Sequence, residues 1–178
     1  MSNNERYPGN NIHDTAIIYE GCIIGTGNVI GPYCIIGAPA EWHGHEDSGN
    51  VIIGNNNKIT GLVTIDSGGS GKTLISNDCW LLKHCHIGHN AVIHDNVTIS
   101  CGAKIGGHSV LKESVNAGLN CAVHQNITIA EGCMIGMGAV VTKKLITEPY
   151  KIYAGNPAKL IGENINHPFY TINQQQMI

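Results

Sequence analysis

The sequence predicts an all-β fold in which very short parallel strands wind into a β-helix, and three observations predict it. A branched aliphatic recurs every six residues, small or turn-forming residues fill most of the intervening positions, and aromatics (5%) and charged residues (13%) are scarce while glycine reaches 23. That balance is foreign to a mixed globular domain and natural for thin, repetitive strands joined by many corners.

The repeat runs in three stretches. Ile12, Ile18, Ile24, Ile30 and Ile36 form the first, and Ile53, Ile59 and Ile65 the second. The third runs unbroken through Ile75, Leu81, Ile87, Ile93, Ile99, Ile105, Leu111, Ala117, Val123, Ile129, Ile135 and Val141. A six-residue period does not match a 3.6-residue helix and is too long for one amphipathic strand, but it suits a short strand plus a corner. The fifth residue of each unit is small or modest (Cys22, Asn28, Cys34, Val63, Cys79, Ala91, Ser109, Ala139), so two inward positions per unit define a narrow core. Gly, Asn and Asp crowd the second to fourth positions, where a corner needs residues that tolerate positive φ. With 42% apolar residues in 178, one continuous core needs neither disulfide nor metal. We therefore expect one β-helix domain over 11–162 and a short tail over 163–178.

The opening MSNNERYPGNN has no apolar core of a signal peptide, and no apolar run is long enough to cross a bilayer. A cytoplasmic location is the expectation. A net charge of −3 and a pI near 6.3 give no basic footprint for nucleic acid or an anionic membrane, which favours small-molecule chemistry.

On this repeat the chain resembles the left-handed parallel β-helix acyltransferases over about residues 11–162. The resemblance implies left-handed winding, three hexads to a triangular coil, six to seven coils in all, and a homotrimer with sites between subunits. Residues eighteen apart then become vertical neighbours. Six of the seven cysteines (Cys22, Cys34, Cys79, Cys85, Cys121, Cys133) fall on the inward fifth position and read as packing. Cys101 falls at a corner.

Two interruptions of the phase are expected as extruded loops, a common place for function in solenoids. The first, 37–49, carries Glu41, Trp42, His43, His45, Glu46 and Asp47, with Glu41 the candidate for acceptor binding. The second, Asp66-Ser-Gly-Gly-Ser-Gly-Lys-Thr73, is not a phosphate-binding loop, because Asp66 stands where that motif needs glycine and no helix follows.

Histidine supplies the main chemical signal: His84, His86, His89 and His94 crowd one segment of a chain with ten. Acyl transfer from a thioester needs a base of near-neutral pKa and a donor for the developing oxyanion. Gly107 stands eighteen residues beyond His89, with His108 beside it. This stretch resembles the UDP-N-acetylglucosamine acyltransferases of lipid A synthesis. That resemblance implies His89 as catalytic base, Gly107 as oxyanion donor and His108 as its neighbour in the site. It further implies His86, His124 and Gln125 as substrate contacts, the last two from the run Ala122-Val-His-Gln125. Asn90 replaces that family's acidic residue, so the imidazole is expected to be oriented from elsewhere. Met137 stands at the position that measures acyl length in that family, and the resemblance there implies a shorter chain.

The segment from Ile135 to Ile161 resembles the end of acetyl-CoA-dependent hexapeptide transferases, which implies Met137, Gly138, Ala139, Thr142, Lys143, Asn156, Pro157 and Lys159 as acyl-donor contacts. A lysine there offers a point charge for phosphate, and the Gly-Asn-Pro-Ala-Lys159 loop equally reads as a cap on an open sheet edge. The function expected is transfer of an acetyl or short acyl group from CoA to a hydroxyl or amine of a sugar or nucleotide sugar. An acyl-carrier-protein-dependent UDP-N-acetylglucosamine O-acyltransferase is the alternative. A second alternative is a zinc enzyme similar to the γ-class carbonic anhydrases, on the segment Ile87-Gly-His-Asn-Ala-Val-Ile-His94. A catalytic zinc takes three protein ligands, yet the position counted two coils before His89 is Ile53. No permanent cofactor or metal is expected.

Overall fold

The computed structural model describes residues 2–41 and 49–165. Most of its strands are two residues long, and each ends on the inward aliphatic of a hexad, as in Val92–Ile93, Thr98–Ile99 and Lys104–Ile105. Three such strands make one turn, and the turns stack as three sheets of nine, seven and six strands, parallel throughout except for the last strand of the largest. A left-handed β-helix results.

The corner chemistry is more regular than composition suggests. The fourth residue of nearly every hexad lies in the left-handed region: Asn56, Asp78, His84, Asn90, Asn96, His108, Asn120 and Asn126 have φ between 52° and 62°. Side-chain amides tolerate that conformation best among non-glycine residues, which explains the asparagines. Leu62 (φ 53°) and Tyr33 (φ 57°) hold it as well, under the constraint of the coils above and below.

The interior is a column of aliphatics, with Ile36, Ile59, Ile65, Leu81, Ile87, Ile93, Ile99 and Ile105 fully buried. All seven cysteines are free, and the six inward ones are buried. Burial pushes the Cys85 thiol up to about 12 and those of Cys79 and Cys121 up to about 11, so these are inert packing groups. An asparagine ladder crosses this apolar column. Asn28 Nδ2 donates to Asn10 Oδ1 (2.9 Å), Asn57 Nδ2 donates to Asn28 Oδ1 (3.0 Å), and Asn57 Oδ1 accepts from the Cys79 N–H (2.8 Å). Each amide is satisfied by the coil above and below, which is what permits burial.

Both ends of the stack are closed. At the first coil, a one-turn helix, Asn3–Arg6, is held by a capping box between Ser2 and Glu5. Asn4 exchanges two hydrogen bonds with the Ile12 backbone, and Asn3 Nδ2 donates to the Ala16 carbonyl. At the other end Lys151–Ala154 adds an eighth parallel strand to the largest sheet, and Lys159–Glu163 turns back antiparallel upon it. One face is therefore a coil longer than the six to seven expected, and the last strand runs one residue past the expected boundary at 162. Tail residues 166–178 and loop residues 42–48, which include Trp42, His43, His45, Glu46, Asp47 and His167, lie outside the described residues.

The insertions leave the pairing of the inward aliphatics in register, with one irregularity between Ile36 and Ala38 at the start of the first. Vertical neighbours are 18 residues apart where the repeat is unbroken, 29 across the first insertion and 22 across the second. Ile53 consequently sits in another face, paired with Ile24 and Ile75, and His86 stacks on Thr64. The eighteen-residue count that placed Ile53 beneath His89 is thus corrected, because extruded residues do not count toward a coil. No group of three or more metal-ligating side chains occurs among the described residues.

Candidate active site

One edge of the prism, where the second sheet turns into the third, gathers His89, Gly107, His108 and Gln125. His89 and Gly107 occupy equivalent positions of successive coils, and the His108 N–H donates to the His89 carbonyl (2.8 Å). Gly107 is buried and its φ is unremarkable. Its glycine identity answers a different need, since a Cβ there would lie 2.6 Å from His89 Nε2 and 2.9 Å from Cδ2 and Cε1. The imidazole lies in the space a side chain at 107 would fill. Among the described residues none accepts a hydrogen bond from the Gly107 N–H, while its carbonyl accepts from Asn126 (2.9 Å). A donor outside the coil-to-coil ladder thus stands beside the His89 ring.

The ring is oriented by the residue next to it. His89 Nδ1 lies 3.0 Å from Asn90 Oδ1, so Nδ1 carries the proton and Nε2, the nitrogen beneath Gly107, presents a lone pair. Orientation therefore comes from Asn90 itself, not from elsewhere as expected, its amide oxygen accepting from Nδ1. Asn90 is fixed in turn, its N–H donating to the buried Thr73 hydroxyl (2.9 Å) and its Nδ2 packing on Gly71 of the glycine-rich loop, where a Cβ would come within 2.8 Å. His108 stands edge-on to His89, ring centroids 5.0 Å apart. Its partial burial, and then the neighbouring His89, lower its pKa.

On the adjoining flat face, His86 and Lys104 are stacked neighbours that line two clefts. The larger, about 420 Å³, is closed by Ile35, Ala38 and Pro39 and carries Glu41, Thr64 and Asp66. His86 Nδ1 is 2.8 Å from Thr64 Oγ1, and its Nε2 is 3.7 Å from Asp66 Oδ2. Burial, seconded by Lys104, lowers the His86 pKa against the opposing pull of Glu41. Asp66, Thr64 and Lys104 were not anticipated; the strand pairing that stacks Thr64 under His86 crosses the second insertion, which hides it from periodic counting. The other cleft, about 250 Å³, joins His86 to Gly106, His124 and Thr142. His124 Nδ1 faces the Gln125 carbonyl at 3.0 Å.

The expected donor residues divide between two edges. Thr142 and Lys143 lie one coil above His124 and Gln125 on the His89 edge. Met137 (75% exposed), Gly138, Asn156, Pro157 and Lys159 lie on the edge between the first and second sheets. Ala139 leaves the set: its side chain is buried in the core, its N–H donates to Gly136 and its carbonyl accepts from Ala122, so nothing of it faces a ligand. The 155–158 loop also caps the second sheet, because Val140 donates to the Gly155 carbonyl (2.9 Å) and accepts from the Ala158 N–H (2.8 Å).

Comparison with known proteins bears on the repeat and the fold. Residues 72–107 match the family described as "Bacterial transferase hexapeptide (six repeats)". The chain is similar to the acyl-[acyl-carrier-protein]–UDP-N-acetylglucosamine O-acyltransferases of Nautilia profundicola (31% identity over 80% of this chain and 56% of the relative) and Paraburkholderia phytofirmans (33% identity over 48% of this chain and 34% of the relative). It thus spans between a third and little more than half of the length of these relatives. Among solved structures it is similar to the UDP-N-acetylglucosamine acyltransferase of Bacteroides fragilis, with a TM-score of 0.86 and 28% identity over 92% of this chain and 64% of that one. A perosamine N-acetyltransferase from Caulobacter crescentus shares the fold at a TM-score of 0.51 and 20% identity, over 86% of this chain and 57% of that one. The chain is a left-handed β-helix with the fold of the UDP-N-acetylglucosamine acyltransferases, and its residues 72–107 match the bacterial transferase hexapeptide repeat.

Proposed function

We propose that the chain is an acyltransferase that moves an acetyl or short acyl group from a CoA thioester to a hydroxyl or amine of a sugar or nucleotide sugar. The observation that carries this reading is the His89 imidazole lodged against Gly107, with its Nε2 lone pair beside a backbone N–H outside the ladder. His89 takes the acceptor proton as the acceptor attacks the thioester carbonyl, the Gly107 N–H stabilises the oxyanion, and collapse of the intermediate expels the thiolate, which recovers the proton from the imidazolium. His108, His86, His124, Gln125 and Glu41 line the acceptor's path. Gly138, Thr142, Lys143, Asn156, Pro157 and Lys159 serve the donor, with Met137 limiting acyl length.

A homotrimer supports this division of labour. Donor residues on two edges of one prism meet at a single site when the edge bearing Met137 and Pro157 in one copy faces the His89 edge of the next. The second reading, an acyl-carrier-protein donor and UDP-N-acetylglucosamine acceptor, is favoured by the names of the similar relatives. Titration calorimetry with acetyl-CoA, run beside elemental analysis for zinc, separates the readings. Saturable binding without stoichiometric zinc supports the CoA-dependent transferase. Absence of binding shifts the donor to carrier protein, or, with zinc present, to the anhydrase-like enzyme. His89→Ala is expected to keep donor binding and lose most turnover; unchanged turnover removes His89 as base.

A further inference from the structure

We propose that the acceptor's nucleophile is an amine and the product an amide, an inference that rests on the transferase reading above and narrows it. The first support is the neutral partner of the base. A carboxylate at Nδ1 would both orient the imidazole and stabilise the imidazolium formed when Nε2 takes a proton. The Asn90 amide at 3.0 Å does only the first. It is not free to do more, since its backbone is tied to Thr73 and its amide nitrogen packs on Gly71. His89 is thereby held in one tautomer by a neutral partner.

That suits one acceptor better than the other. A hydroxyl gives up its proton reluctantly, so its attack leans on base strength throughout bond formation. An amine attacks with its own lone pair and becomes acidic only as the C–N bond forms, when a well-aimed base without a charged partner suffices. The reaction balances without any further reagent: the C–N bond forms, the thioester C–S bond breaks, and the proton passes from nitrogen to His89 Nε2 and then to the departing sulfur.

The second support is independent of the first. The larger cleft beside His86 carries two carboxylates, Glu41 and Asp66, with Lys104 as its one ammonium among the described lining residues. Lys104 Nζ is itself engaged with the His84 carbonyl. Thr64 and His86 add neutral polar groups under an apolar rim of Ile35, Ala38 and Pro39. A cleft of this sign favours an amino group over a carboxylate at this end of the acceptor, and an amine that arrives as ammonium gives one proton to water before its lone pair attacks.

The test uses the full chain with acetyl-CoA and paired UDP-linked sugars that carry an amine or a hydroxyl at the same carbon. Thiol release measures transfer, and hydroxylamine, which cleaves esters and spares amides, identifies the product. We expect the amine to be preferred on the order of 100-fold, with a hydroxylamine-resistant product. Preference for the hydroxyl and a cleavable product would overturn the inference and leave the transferase standing. Thiol release with neither sugar would remove the transferase reading, and the inference with it. Asn90→Asp restores a charged partner and should narrow the preference to about 10-fold while moving the acidic limb of the pH profile up by about one unit. An unchanged preference and profile would overturn the role given to Asn90.

Discussion

Replacing Gly107 by alanine isolates the relation between backbone and base. The new Cβ would sit 2.6 Å from His89 Nε2 and 2.9 Å from two ring carbons, where unstrained contacts begin at about 3.5 Å. The glycine is surrounded by backbone that the ladder fixes, so the ring, which is partly exposed, must yield by about 1 Å. Displacement of that size at a reacting group costs on the order of 100-fold in rate, equivalent to about 2.7 kcal/mol of barrier. The Gly107 N–H is retained in the variant, so the loss falls on the base. Thiol release from acetyl-CoA in the presence of acceptor measures it. A cycle adding His89→Ala completes the test: once the imidazole is gone, Gly107→Ala should cost almost nothing more. Full activity in Gly107→Ala, or an equal loss in both backgrounds, would refute a catalytic role for this contact.

Two further outcomes follow from burial. A thiol reagent should modify Cys101 alone in the native protein and all seven cysteines after unfolding, because burial holds the other six away from solvent; rapid native modification of several thiols would show that the coils open. The His86 pKa is lowered in the folded protein, so folding disfavours its protonation. Its contribution to stability is complete above about pH 6.5, the ordinary histidine value, and falls as pH drops toward the folded pKa. Denaturant midpoints for the wild type and His86→Gln should therefore diverge between pH 7 and 5, the variant losing less; parallel curves would contradict the burial argument.

The stacking of His89 against Gly107 was legible in the sequence because no insertion separates them, and the same holds for the inward cysteines. Thr64 under His86 was not, because an insertion of variable length intervenes. Asn57 continues the buried ladder, yet asparagine also suits the exposed corner beside it, so its burial was invisible to composition. The capping helix carries its signature in Ser2 and Glu5, but a scan tuned to hexads passes over a single turn that makes no repeat. The final parallel strand, Lys151–Ala154, escaped for a related reason: proline and glycine around it break the six-residue spacing while backbone pairing continues. Asn90 was read as a lost acid, because the sequence gives the residue type and only the geometry gives the reach of its amide oxygen.

The offsets of 29 and 22 residues across the two insertions, against 18 elsewhere, mean that the coils transmit no memory of what is inserted between them. Residues can be added at these two points while the inward aliphatics of the coils above and below stay paired. The two insertions therefore differ in kind: the first adds residues beside Glu41 without touching His89 or Asn90, whereas the second carries Gly71 and Thr73, on which Asn90 and through it the His89 ring rest.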